Sequence, residues 1–357
     1  MPKEKRERRG DAYARAGVDL TKVRSIQGSL AAALSSTFET RKGKFGEPAI
    51  DIGHYAGLID MGGERLLAMH TDGVGTKVLL AQEMRKFDTI GIDCVAMTVN
   101  DLICMGAEPV ALLDYLALER EDDELVAQLT RGLVAGAKDA GTAIVGGETA
   151  IVGDLLKGID GYGFDLVSMG VGVVKKSALV DGSGIKEGDA IVGIGSSGLH
   201  SNGYTLARRL VHDMSLDEAV EELGETIGEA LLKPTRIYVG PTLDAVRRRE
   251  VHGIAHITGG AFTKLTRLVG PKKLQFVLSP FDKKSVPPIF AFLQRKGGLG
   301  EVEMYTTFNM GVGLCLMTPR REVEGVLRDY RKRGFEGRQI GWVKKGGGVT
   351  VGSKRIA

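Results

Sequence analysis

A chain of 357 residues, 43% apolar and 26% charged, has an ordinary globular composition and is long enough for two domains. Its apolar runs, such as GVGLCLM, are short and glycine-broken, which excludes a membrane-spanning helix; MPKEKRERRG lacks the apolar stretch of a secretory signal, so a cytoplasmic protein is expected. The net charge of +3 is that of this opening tail, where Lys3, Lys5, Arg6, Arg8 and Arg9 face Glu4 and Glu7; the remainder sums to zero and offers nucleic acid no aromatic-interleaved basic stripe.

Residues 1–45 read as a basic tail and arm, solvated or else a nucleic-acid arm, carrying one amphipathic segment near VRSIQGSLAAALSSTF. Over 46–176, β-like runs (RLLAMHT, PVALLDYLAL, TAIVGG, DLVSMGVGVV) alternate with the helical DTIGIDCVAMTVNDLICMG and DELVAQLTRGLVAGAKDAG, which predicts an α/β or α+β domain. The polar, glycine-rich KKSALVDGSGIKEGD reads as an interdomain connection. A second α/β domain over 177–357 opens with the strand DAIVGIGSSG and the helix GYTLARRLVHDM. It continues through HITGGAFTKLTRLV, a break at Pro287-Pro288 and a strand near MGVGLCLMT. Cys94, Cys104 and Cys315 make an odd set without a C-x-x-C pair, as expected of reduced core thiols rather than a zinc site or disulfide framework.

HTDGVGTKVLL, residues 70–80, looks like a phosphate loop but is neither a Walker A loop nor a dinucleotide fingerprint. A glycine turn with a solvated Lys77 is the bland reading. Asp72 beside Gly73, Gly75 and Thr76 suits a metal–nucleotide, the ion bridging carboxylate and phosphate oxygens. Further on, Asp93 and Asn100 fall within about 20° on one helix face and Asp101 about 80° from Asp93. Buried carboxylates need metal or a basic partner, so metal binding and ion pairing with an unseen Lys or Arg both stay open. Magnesium takes only one or two protein carboxylates, so not all of Asp72, Asp93 and Asp101 serve one ion. Glu148 and Thr149 follow a strand and a glycine pair. SSGLHSNG offers Ser197, Gly198, His200, Ser201 and Asn202 at a helix start, and HITGG offers His256, Thr258, Gly259 and Gly260. Each is an anion cradle, or else an N-cap with an incidental histidine.

Taken in order, YARAGVD, TDGVGTK, GIDCVAMTVNDLICMGAEP, VGGETA, SSGLHSNGYTLARR, PTRIYV, HITGG, VPPIF and FNMGVG resemble the AIR synthetase family, the phosphoribosylformylglycinamidine cyclo-ligases, over residues 13–345. The resemblance implies an N-terminal domain whose four-stranded sheet forms a barrel with that of a second subunit, followed by a C-terminal α/β domain. It implies a homodimer that uses ATP and Mg²⁺ to close the ring of formylglycinamidine ribonucleotide, giving aminoimidazole ribonucleotide, ADP and phosphate. It further implies that Asp72, Asp93, Asn100, Asp101 and Glu148 form the metal and ATP-phosphate group, with Thr149 beside Glu148. Gly73, Gly75, Thr76 and Lys77 would shape that pocket, and His200 and His256 would lie towards the substrate. The chain departs from the family at Gln27-Gly28, at Ala261 and in IVGDLLKGIDGYG after GGETA; no acidic residue is lost. Selenophosphate synthetase would bring a reactive cysteine before Cys94, and the hydrogenase-maturation dehydratase a C-terminal one. Thiamine-monophosphate kinase lacks SSGLHSNGY and VPPIF in this form. A non-catalytic nucleotide-binding protein would not need the acidic stripe.

Overall fold

The computed structural model describes residues 20–270, 272–282 and 285–357, so the basic tail and YARAGVD lie outside the described residues. The first described element is a helix, α1 (Leu20–Ser35), which overlaps the amphipathic segment expected in the arm. Its Val23, Ile26, Leu30 and Leu34 form a stripe that stays exposed.

Among the described residues the first sheet has five strands, not the expected four. They are β1 (Gly57–Asp60), β2 (Arg65–Gly73), β3 (Glu108–Leu118), β4 (Ala143–Ile151) and β5 (Phe164–Lys175), in the order β1-β2-β5-β3-β4. The added strand is an edge of only four residues, GLID, too short to show alternation. It pairs antiparallel with β2 from Gly57↔Met69 to Asp60↔Leu66. Antiparallel neighbours put β5 between β2 and β3, whereas β3 and β4 are parallel and need a crossover.

Two helices follow α2 (Val78–Met84): α3 (Asp88–Ile103), and the crossover α4 (Asp123–Ala140). The crossover starts where Asp122 accepts the Leu125 N–H at 3.0 Å and ends at Gly141, whose φ of +65° suits a residue without Cβ. Helix α3 is buried nearly all round, packed on β2, β5 and α4. Glycine makes the α3–α4 approach: a methyl on Gly91 would lie 2.3 Å from Leu129 O, and one on Gly132 2.0 Å from Asp88 O.

The connection after β5 is no free linker. Val180 and Ile185 are buried, and the Val180 N–H donates to Met105 O at 3.2 Å. A second sheet has the order β14-β13-β10-β12-β6-β11-β9. Its strands are β6 (Ala190–Gly195), β9 (Gly253–His256), β10 (Leu274–Leu278), β11 (Val312–Thr318), β12 (Gly337–Lys345), β13 (Gly348–Val351) and β14 (Lys354–Arg355), and β7 (Ala219–Val220) with β8 (Glu225–Thr226) makes a small separate ladder. Only β10 and β13 run parallel. Around it lie α5 (Tyr204–Leu210), α6 (Ile227–Leu232), α7 (Val239–Arg248), α8 (Pro288–Gly297), α9 (Glu301–Thr307) and α10 (Val323–Arg331). Because α3 also touches α7 and β9, one apolar core runs through both halves. The architecture is mixed α/β. The three cysteines are buried and unpaired, and no described helix is long and apolar enough to cross a membrane.

Candidate active site

Strand alternation sets the first two groups. His70 and Asp72 are two residues apart on β2 and share the face turned to α3. Asp101, near the end of α3, meets them: its Oδ2 is 3.3 Å from His70 Nε2, which lies 3.9 Å from Asp72 Oδ2. On the other side, Asp101 Oδ1 lies 2.7 Å from His256 Nδ1 at the end of β9. The site thus joins the first sheet, the shared helix and the second sheet. A half-buried lysine completes it: Lys264, in the turn of helix at Ala261–Leu268, bonds Thr258 Oγ1.

Burial acts on Asp101, His70 and Lys264. Alone it would raise the Asp101 pKa, but the His256 hydrogen bond and the charges of His256, His70 and Lys264 hold it below the usual carboxylate range. Burial would lower that of His70, yet Asp72 and Asp101 raise it on balance. Lys264 is pushed down by burial despite Asp101 and Asp72. A cavity of about 290 Å³ opens beside the cluster, bordered by Ile50, Ile52, Tyr55, Met69 and His70. A larger one, about 740 Å³, lies in the second half between Lys186, Lys272, Lys273 and Lys345. Its size does not mark the chemistry, since the metal-competent donors are elsewhere.

Several sequence expectations need correction. Asp93 is no metal ligand: it is fully buried, Oδ2 is 2.6 Å from Lys77 Nζ, and Oδ1 accepts from the Thr235 N–H and Oγ1 at 2.7 and 2.6 Å. Lys77 is equally buried and also donates to Lys233 O at 2.7 Å, so neither group faces a nucleotide. Asn100 is a clamp between the halves, donating to Arg236 O at 2.8 Å and accepting from the Tyr238 N–H at 2.9 Å. Glu148 is exposed and pairs in register with Tyr115, Val167 and Gly73, which puts it on the face opposite Asp72. With β4 three strands from β2, it lies about 14 Å away. Thr149 is on the same edge strand.

The serine loop is committed to structure. Ser197 Oγ donates to Pro234 O at 2.6 Å, and Ser201 Oγ is 2.9 Å from Thr235 Oγ1. Asn309 Nδ2 donates to the carbonyls of Gly198 and Leu199. The helix that follows has only seven residues, so the expected anion cradle at its start has little dipole behind it. Asn202 and Gly259 do come together: a Cβ on Gly259 would sit 3.1 Å from Asn202 Oδ1. They adjoin Thr258, and Gly260 starts the turn bearing Lys264 with φ +80°. Gly75 has φ +72°, and Thr76 Oγ1, exposed, is 3.3 Å from Thr205 Oγ1.

The sequence reading missed His70, Lys264 and Asn309. Two-residue spacing from Asp72 on a strand was the available signal for His70; for Lys264 there was none, because only the fold brings it near the two acids.

His200 is not presented to a substrate either. It is fully buried at φ +63°, Nε2 accepts the Ser197 N–H at 3.3 Å, and Nδ1 has no partner. Burial drives its pKa well below 6.5, with His256, Lys77 and Arg236 adding to the effect. Stability from a depressed histidine is complete above the unfolded pKa near 6.5 and declines as pH falls below it, by up to about 1.4 kcal/mol per pH unit. His200→Asn, which tolerates the left-handed backbone, should flatten the fall of the urea midpoint between pH 7 and roughly pH 5. Parallel profiles for the two proteins would remove His200 from the acid response.

The AIR synthase related protein family matches the chain with its N-terminal domain over residues 53–174 and its C-terminal domain over 186–354. The phosphoribosylformylglycinamidine cyclo-ligase of Thermococcus kodakarensis is 47% identical over 340 residues, 95% of this chain and 97% of that one. That of Methanosarcina acetivorans is 47% identical over 313 residues, 87% of this chain and 89% of that one. Among solved structures, tt0281 from Thermus thermophilus aligns with a TM-score of 0.66 at 19% identity, covering 94% of this chain and 97% of that one. AaThiL complexed with AMPPCP and TMP aligns at 0.63 and 18%, covering 90% and 92%. At such identities the two structures speak for the fold alone. Two family domains over most of its length, and nearly half of its residues shared with full-length cyclo-ligases, mean that the chain belongs to the AIR synthase related family, among the phosphoribosylformylglycinamidine cyclo-ligases.

Proposed function

We propose that the chain closes the imidazole ring of formylglycinamidine ribonucleotide at the expense of ATP, releasing aminoimidazole ribonucleotide, ADP and phosphate. The observation that carries this reading is the meeting of Asp72 and Asp101 beside the half-buried cation of Lys264. The formyl amide oxygen attacks the γ-phosphate and ADP departs; the amidine-side nitrogen then attacks the activated carbon, closing the five-membered ring as it sheds a proton and phosphate leaves. Such chemistry asks for positioning and charge neutralisation rather than a protein nucleophile. Asp72 and Asp101 suit a divalent ion such as Mg²⁺, which when bound neutralises and polarises phosphate oxygens. His256 holds Asp101 in place, and Gly75 and Thr76 leave open backbone where the triphosphate would pass. Lys264, with Thr258, Gly259, Gly260 and Asn202, offers the positive and polar border for the anionic substrate.

Residues 46–176 would serve ATP binding and dimerisation, and 177–357 would complete the site, in a cytoplasmic homodimer. What supports the dimer is the outer face of the first sheet, where Leu113, Tyr115 and Met169 are exposed together. Glu148 shares that face. With ATP and formylglycinamidine ribonucleotide, the full chain should form ADP and the aminoimidazole product in equal amounts, and should hydrolyse little ATP alone. ADP without ring product, or phosphorylation of another small molecule, would refute the reading. Sedimentation of the same sample at one chain mass, 38.1 kDa, would refute the dimer.

A further inference from the structure

One donor atom each from His70, Asp72 and Asp101 lies within 4.8 Å of the others. Neither carboxylate has both oxygens free. Asp101 gives Oδ1 to His256, and Asp72 Oδ1 accepts the Gly73 N–H at 2.8 Å. The remaining oxygen of each faces His70 Nε2, at 3.3 and 3.9 Å. That nitrogen is shut off from solvent and has no hydrogen-bond partner. Neighbouring ligands of an octahedral ion with bonds of about 2.1 Å stand about 3 Å apart, so a small contraction would seat one ion on three protein atoms. Oxygens from water or phosphate would fill the other positions. Lys264 opposes the ion, but the two carboxylates outweigh its single charge.

We infer that His70 is a direct ligand of the divalent ion, making the site a one-nitrogen, two-oxygen set that prefers Mn²⁺ or a similar first-row transition ion over Mg²⁺. Magnesium is a hard ion that favours oxygen, whereas imidazole binds transition ions well. The alternative for His70 is a plain ion pair with the two carboxylates. This inference deepens the proposed function and takes the ion's role from it, while the ligand assignment stands on the geometry.

The test uses the full chain and Mn²⁺ alone. Loss of the free Mn²⁺ paramagnetic signal should report one ion per chain, and pulsed measurements should show coupling to an imidazole nitrogen. His70→Ala should remove that coupling and weaken Mn²⁺ binding about 10- to 100-fold, with a smaller change for competing Mg²⁺. His70→Asp, which keeps a donor, should bind Mn²⁺ without the coupling and bring Mg²⁺ closer in affinity. Bound Mn²⁺ with no nitrogen coupling, or unchanged affinity in His70→Ala, would establish the ion pair and overturn the inference. Intact nitrogen coupling in a protein that fails to close the ring would instead sink the function and leave the ligand standing.

Discussion

Asp101→Asn should cut turnover by about 10²- to 10³-fold while the chain still unfolds cooperatively. Asp101 is the one carboxylate that touches both histidines of the site. An asparagine keeps the shape and can still offer its oxygen to His256. Its amide nitrogen would then face His70 Nε2, so a donor stands where a negative oxygen is needed. Charge and ligand are lost together, whereas the volume in the core is not. Steady-state kinetics at saturating ATP read the effect, and the urea midpoint reports the fold. Activity within about threefold of the unaltered chain would remove Asp101 from the chemistry.

The second large effect is on stability. Lys77→Met should lower unfolding free energy by about 3–5 kcal/mol, because Asp93 would be left in a buried site without its cation. Thr235 would still donate two hydrogen bonds, which places the loss nearer the low end. Replacing both partners, as in Lys77→Met with Asp93→Leu, should recover part of the loss, since no unpaired charge remains. Thr235 would then lose its acceptor, so recovery stays incomplete. Denaturant midpoints of the two single variants and the double variant measure the coupling. A Lys77 that bound phosphate would behave otherwise: the KM for ATP would rise with little change in the midpoint.

The same pair shows where reading along the chain stops. A buried acidic stripe on α3 is visible from its apolar neighbours, and it demands partners. Which partner each carboxylate takes depends on segments far away in the chain. Asp93 takes Lys77 and Thr235, while Asp101 takes His70 and His256, although eight positions separate the two on one helix. Nothing local to α3 distinguishes them. Glu148 illustrates the converse: it looks like the other acids, but strand register turns it to the other face.

By itself the sequence determined the alternation of strands and helices, the glycine loops, the family, and a set of acids, Asp72, Asp93, Asp101 and Glu148, without telling them apart. These follow from periodicity, turn chemistry and ordered motifs, all of which act over a few residues or are matched one by one. Only the tertiary structure decided that β1 joins the first sheet, that Lys77, Asp93, Asn100 and His200 are framework, and that His70 and Lys264 flank the acidic pair. The reason is physical. A charge removed from water must find its partner in space, and that choice is made by packing between elements rather than by spacing along the chain.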